Sequence, residues 1–68
     1  MIEIKIDSDF IKLDSLLKYA NLVGSGGEAK VLIQDGYVLV NGEIERRRGR
    51  KIHQGDQVDF QGQIIKVL

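Results

Sequence analysis

Tyr37-Val38-Leu39-Val40-Asn41-Gly42-Glu43-Ile44-Glu45 reads as two strands folded back on each other around Asn41-Gly42. Asn-Gly suits a type I′ turn: both central residues need positive φ, and the turn's twist matches that of the flanking strands. Val38, Val40 and Ile44 are the expected core side chains of this hairpin. Downstream, Gly55-Asp56 and Gln61-Gly62 mark further turns. Val58 and Phe60 read as one strand, and Gln63-Ile64-Ile65-Lys66-Val67 as a last one. The intervening segment, Arg46 to Ile52, gives the weakest strand signal.

Upstream, the hairpin is preceded by helical patterns. Ser25-Gly26-Gly27-Glu28 is a capping box: the Ser25 hydroxyl can accept from the Glu28 N–H, and the Glu28 carboxylate from the Ser25 N–H. Ala29, Leu32 and Ile33 form the buried stripe, with Lys30 and Gln34 facing away. Asp35-Gly36 ends this helix, Gly36 taking the left-handed conformation. Before it, Leu13, Leu16, Leu17 and Ala20 recur at i, i+3, i+4 and i+7. Lys12, Asp14, Ser15 and Lys18 occupy the other side. Ser8-Asp9 offers an N-cap, predicting a start between Asp9 and Lys12. At the amino end, Ile2, Ile4 and Ile6 alternate with Glu3, Lys5 and Asp7, a strand with one buried face. The order is therefore β-α-α-β-β-β-β. The fold class is α+β, with two helices packed on a small, curved, mostly antiparallel sheet of about four to five strands.

Composition narrows the function. Sixty-eight residues allow one domain, 1–68, with no space for a cofactor domain beside a substrate domain. There is no cysteine and a single histidine, His53, which excludes thiol catalysis, disulfides and His/Cys metal centres. No apolar run approaches the ~20 residues of a membrane helix. The alternating, charged amino end does not read as a signal peptide, so a cytoplasmic location is expected. No cofactor, small-molecule substrate or membrane partner is expected, and no residue constellation supports an enzyme.

The net charge of zero hides an asymmetry: residues 1–45 sum to −4 and residues 46–68 to +4. The positive end is concentrated in Arg46, Arg47, Arg48, Arg50 and Lys51. Arginine suits bidentate phosphate contacts and stacking on bases, and the run itself holds no acid. It follows a tight hairpin and so rises from a rigid base. A second candidate anion site is the start of the second helix, where Gly24 to Gly27 expose backbone N–H groups, opposed by Glu28. That stretch is no P-loop, since Ala29 and Val31 stand where glycine and Ser/Thr are needed. His53 reads as a loop-end surface residue and Asp56 as a turn former. Asp7, Asp9 and Asp14 read as a cap and a solvated helix face, not a metal cluster. Tyr19 and Tyr37 are expected to be half-buried.

Several of these residues combine into a known pattern. Lys12-Leu13-Asp14-x-x-Leu17 leads to Ser25 opening a helix with Ala29-Lys30-x-Leu32-Ile33. Gly36-x-Val38-x-Val40-Asn41-Gly42 and then Gly55-Asp56-x-Val58 follow. Over residues 10–60 this resembles the RNA-binding domain of the ribosomal protein S-four type, the alpha-L RNA-binding fold, and above all its small bacterial stand-alone members. The resemblance implies a non-catalytic module that holds structured RNA across its helices and adjoining loops. Ribosomal RNA is the implied target, with ribosomal proteins as further partners, in translation or ribosome assembly. Carried over by position, Lys12, Ser25, Lys30 and Asn41 are candidate contacts. The Arg46, Arg47, Arg48, Arg50 and Lys51 run is this chain's own addition. Many members carry arginine directly after the serine; here Gly26 stands there, and its backbone amide is the candidate substitute. Asn41 has a structural duty as well, as the first residue of the turn. Two other readings compete: a protein-interaction module docking an acidic partner through the arginines, and an anion or nucleotide receptor at Ser25 to Lys30.

Overall fold

The computed structural model describes all 68 residues. In chain order the elements are β1 (Ile2–Ile4), β2 (Ile11–Lys12), α1 (Leu13–Tyr19), α2 (Gly26–Gln34) and β3 (Val38–Val40). There follow β4 (Glu43–Ile44), β5 (Lys51–Ile52), β6 (Gln57–Phe60) and β7 (Gln63–Val67). Asn41 and Gly42 both lie in the left-handed region, at φ 51° and 87°, and join β3 to β4 as the turn chemistry requires. Gln61 and Gly62 repeat that arrangement between β6 and β7, at φ 52° and 88°. The main sheet runs β1-β7-β6-β3-β4. All its pairings are antiparallel except β1 with β7, where Ile2 lies beside Ile65 and Ile4 beside Val67.

One face of this sheet is covered by the helices. Val38, Val40, Val58, Phe60, Ile65 and Val67 project inward and meet Leu13, Leu16 and Leu17 of α1 and Ala29 and Ile33 of α2 in one core of 14 buried side chains. Fully burying a side chain of this size stabilises by about 1.5–3 kcal/mol, so the core carries most of the favourable free energy. The alternation in β6 and β7 matches this division, with Asp59 and Lys66 only partly covered on the other face.

α2 forms as its sequence predicts. Ser25 Oγ accepts from the Glu28 N–H at 3.1 Å, and Gly36, at φ 88°, follows the last turn. The reciprocal half of the box differs: Glu28 Oε1 accepts from the N–H of Gly24 at 2.7 Å, not from Ser25.

Four other expectations are corrected. α1 begins at Leu13, without a side-chain cap. Ser8 instead turns its hydroxyl onto the Phe10 carbonyl at 2.8 Å. The unsatisfied N–H groups of the first turn find carbonyls in the arginine segment, Leu13 N–H on Arg50 O at 2.9 Å and Asp14 N–H on Arg48 O at 3.1 Å. Ile11 and Lys12, expected to be helical or preceding a helix, pair with Ile52 and Lys51 as a separate two-stranded ribbon. Ile44 is 56% exposed, not in the core. It lies opposite Leu39 on the outer face, which turns Glu45 inward beside Val38. Tyr19 and Tyr37 are exposed, at 68% and 51%.

Candidate nucleic-acid interface

The arginine segment is bound to the body of the fold along its whole length. Each guanidinium has a protein partner, and only one of those partners is adjacent in sequence. Arg46 Nη1 donates to the Gln34 carbonyl at 2.9 Å, at the carboxyl end of α2. There a cation meets the negative end of the helix dipole and an otherwise free acceptor. The same guanidinium lies against Gly36, where a side chain would stand 3.0 Å from Nη2.

Arg47 and Arg50 converge on Glu45. Arg47 grips the carboxylate with two parallel bonds, Nε to Oε2 at 2.9 Å and Nη2 to Oε1 at 3.0 Å, while Arg50 Nη1 reaches Oε1 at 2.7 Å. The Arg47 backbone N–H adds a fourth bond to Oε2 at 3.1 Å. Glu45 is the one buried charged residue of the chain. The side-chain bonds from Arg47 pull its pKa down; burial pushes the other way and Arg50 pulls down again, leaving it at about 2. Arg47 is raised in turn by the Glu45 hydrogen bonds and charge.

Arg48 takes a different direction. Its Nε donates to Asp14 Oδ2 at 2.9 Å, across to α1. It borders a hollow of about 200 Å³ that Asp14, Ser15, Lys18 and Gly26 also line, where α1 meets the start of α2. Five cations at 46–51 therefore face two carboxylates, Glu45 and Asp14, and three positive charges remain in excess.

A larger open hollow, about 610 Å³, is lined by Arg47, Gly49, Arg50, Lys51 and His53. Behind it the Lys51 ammonium sits 4.9 Å above the Phe10 ring, and the His53 ring leans on Phe10 at 6.2 Å and 52°. Lys12 stands opposite Lys51 across the ribbon.

The structure thus gathers Lys12, Arg47, Arg50 and Lys51 around the ribbon, and Gly26 and Arg48 at the helix junction. Ser25 is engaged in capping. Lys30 is exposed on α2 and makes no salt bridge. Asn41 lies at the hairpin turn with its amide taken up: Nδ2 donates to Asp56 Oδ1 at 3.0 Å and Oδ1 accepts from the Gln57 N–H at 2.9 Å. Burial raises the pKa of Asp56, but the His53 N–H and the Asn41 amide outweigh it, so the carboxyl is held below its ordinary value. Asp7, Asp9 and Asp14 form no cluster able to hold a metal ion. Sequence reasoning missed Glu45 and Asp14 as the carboxylates that orient the arginines. Glu45 was legible as the nearest acid to the run; nothing local links Asp14 to Arg48. Nor did it bring Phe10 into the site.

The chain has clear relatives. A family model described as an S4 domain matches residues 4–68, a wider stretch than the motifs alone. "Probable ribosome maturation protein RlbA" of Bacillus subtilis (strain 168) is 46% identical over 59 residues, 87% of this chain and 83% of the relative. "Putative RNA-binding protein YbcJ" of Escherichia coli (strain K12) is 38% identical over 58 residues, 85% of this chain and 83% of that protein. The solution structure of YbcJ from E. coli, described as revealing an alpha-L motif involved in RNA binding, superimposes with a TM-score of 0.77 at 33% identity. That alignment covers 100% of this chain and 87% of YbcJ. No helix is long and apolar enough to cross a membrane.

Proposed function

Because the chain belongs to the S4 domain family, we propose that it is a non-catalytic module that holds the phosphate backbone of structured RNA, ribosomal RNA foremost. Its role is in ribosome assembly in the bacterial cytoplasm, among ribosomal proteins. The observation that carries the reading is the arginine segment itself. It is fixed to the first turn of α1 by two backbone hydrogen bonds and keeps three positive charges beyond its internal partners. A disordered basic tail would lose far more conformational entropy on binding than this pre-ordered strip. The ribosome maturation role given in the name of the B. subtilis relative supports the ribosomal target.

The contacts divide by chemistry. Lys12, Lys30 and Lys51 offer compact charges that make no salt bridge. Arg48, held by one N–H on Asp14, keeps its remaining N–H groups for a phosphate near the Gly26 amide and the amino end of α2. Ser25 fixes that helix start, and Asn41 fixes the hairpin behind it. Arg46 supports the segment from beneath. Binding by counterion release makes affinity fall steeply with salt, by about 0.7–0.9 decade per decade of salt for each phosphate neutralised.

The test is binding to a structured ribosomal RNA fragment and to a length-matched DNA duplex across a salt series. Tight RNA binding with a steep slope, weaker DNA binding, and a slope reduced in a Lys12→Gln, Lys30→Gln, Lys51→Gln variant support the proposal. These three substitutions break no ion pair and give up only the Lys51 ammonium's contact with the Phe10 ring, and circular dichroism checks that the variant is folded. Absence of binding to either nucleic acid at low salt refutes it and directs the search to an acidic protein partner.

A further inference from the structure

The open hollow beside the ribbon holds more than charge. Its walls carry an imidazole and two guanidinium groups, all planar, with one ammonium and no apolar side chain. The Arg47 fork is spent edge-on upon Glu45 through Nε and Nη2. A guanidinium fixed by its edge keeps its faces open, and its faces are what stack on a base. The His53 side chain is 58% exposed, and its ring is backed by Phe10. Lys12 and Lys51 lie directly opposite each other with no carboxylate bonded to either. Like charges so placed destabilise a strand pair until an anion joins them.

Resting on the RNA-binding reading above, we propose that this hollow is a subsite for one unpaired nucleotide of the RNA. Its base stacks on the His53 ring and the Arg47 guanidinium plane, and its phosphate lies between Lys51 and Lys12. A continuous A-form duplex presents phosphates and 2′-hydroxyls outward but keeps its base faces stacked inside. Only a bulge, loop or end can supply a base to such planes. The substrate class is therefore structured RNA interrupted by an unpaired nucleotide.

Three short RNA hairpins with equal numbers of phosphates test this: fully paired, with a single bulged adenosine, and with an abasic bulge. The adenosine bulge is expected to bind roughly five- to a hundred-fold tighter than the other two, the range that one stacked base supplies. A bulged 2-aminopurine is expected to lose fluorescence on binding. His53→Ala removes an exposed ring and leaves the fold intact, and Arg47→Lys keeps the charge but loses the plane. Both are expected to shrink the preference for the bulge. His53→Ala leaves the salt slope unchanged, while Arg47→Lys also gives up the fork on Glu45, so its bulge preference is read as the affinity ratio between hairpins within that variant. Equal affinity for all three hairpins overturns the subsite and leaves RNA binding standing. A bulge preference that survives both substitutions places the base elsewhere and also overturns it. Failure to bind any hairpin or the ribosomal fragment at low salt removes both readings together.

Discussion

Replacing Glu45 with glutamine keeps the shape of the side chain and removes the one buried charge that Arg47 and Arg50 share. The carboxyl titrates at about 2 in the folded chain against 4.5 ordinarily. At about 1.36 kcal/mol per pH unit, that gap sets a ceiling of roughly 3 kcal/mol on its stabilisation. The ceiling is not reached, because the side chains of Arg47 and Arg50 are 74% and 36% exposed and water screens them. A glutamine oxygen also retains one of the bonds. We expect Glu45→Gln to cost about 2 kcal/mol at neutral pH, a large share of the ~3–10 kcal/mol total for a domain this size. The sign follows from the depressed pKa. The stabilisation is complete above about pH 4.5 and drains away as pH falls toward about 2, where the folded carboxyl itself takes up a proton. Urea unfolding of both proteins across that range reads it, with the slope of the transition held common. The other carboxylates titrate in both proteins and cancel in the difference. The gap should shrink to less than half near about pH 3. A gap that stays constant from neutral pH to about pH 3, or a variant as stable as the parent throughout, refutes the role assigned to the Glu45 ion pairs.

Three further outcomes rest on separate contacts. Leu17→Ala, at a fully buried position of α1, should cost about 2–5 kcal/mol and leave the chain partly unfolded at ambient temperature, visible as lost cooperativity in thermal circular dichroism. Ser25→Ala removes the acceptor for the Glu28 N–H and should lower stability by about 1 kcal/mol, whereas Ser25→Asp should restore most of it. Gly36→Ala forces an L side chain to φ 88° and against the Arg46 guanidinium. It should cost about 1–2 kcal/mol by urea unfolding and broaden the Arg46 side-chain resonances, while Gly49→Ala, which meets open space, should do neither.

Legibility in the sequence followed the range of the interactions. The Asn41-Gly42 and Gln61-Gly62 turns, the Ser25 cap and the Gly36 terminator rest on contacts within a few residues, and each formed as read. The first helix was misjudged at its start. Ser8-Asp9 offers a local cap, but the helix starts at Leu13, where carbonyls of Arg48 and Arg50, some 35 residues away, satisfy its first N–H groups (Leu13 to Arg50, Asp14 to Arg48). Glu43-Ile44-Glu45 was misjudged in facing. Three residues alternate too briefly to select a face, and the register opposite Leu39 turned Ile44 outward. The candidate site divides in the same way. Its charges could be counted from the chain, but not which of their N–H groups were already engaged.

The amino-acid sequence by itself determined the two helices, the five strands of the main sheet, the turns and the excess of cations at residues 46–51, but not the β2–β5 ribbon. Those follow from local backbone preference, apolar periodicity and composition. Tertiary structure decided how the cations are held: Arg46 beneath α2, Arg47 and Arg50 around an inward Glu45, and Arg48 against Asp14. A guanidinium's edge is claimed by whichever carboxylate or carbonyl the fold brings within about 3 Å, the reach of a hydrogen bond. That proximity is a property of the packed chain and not of any one segment.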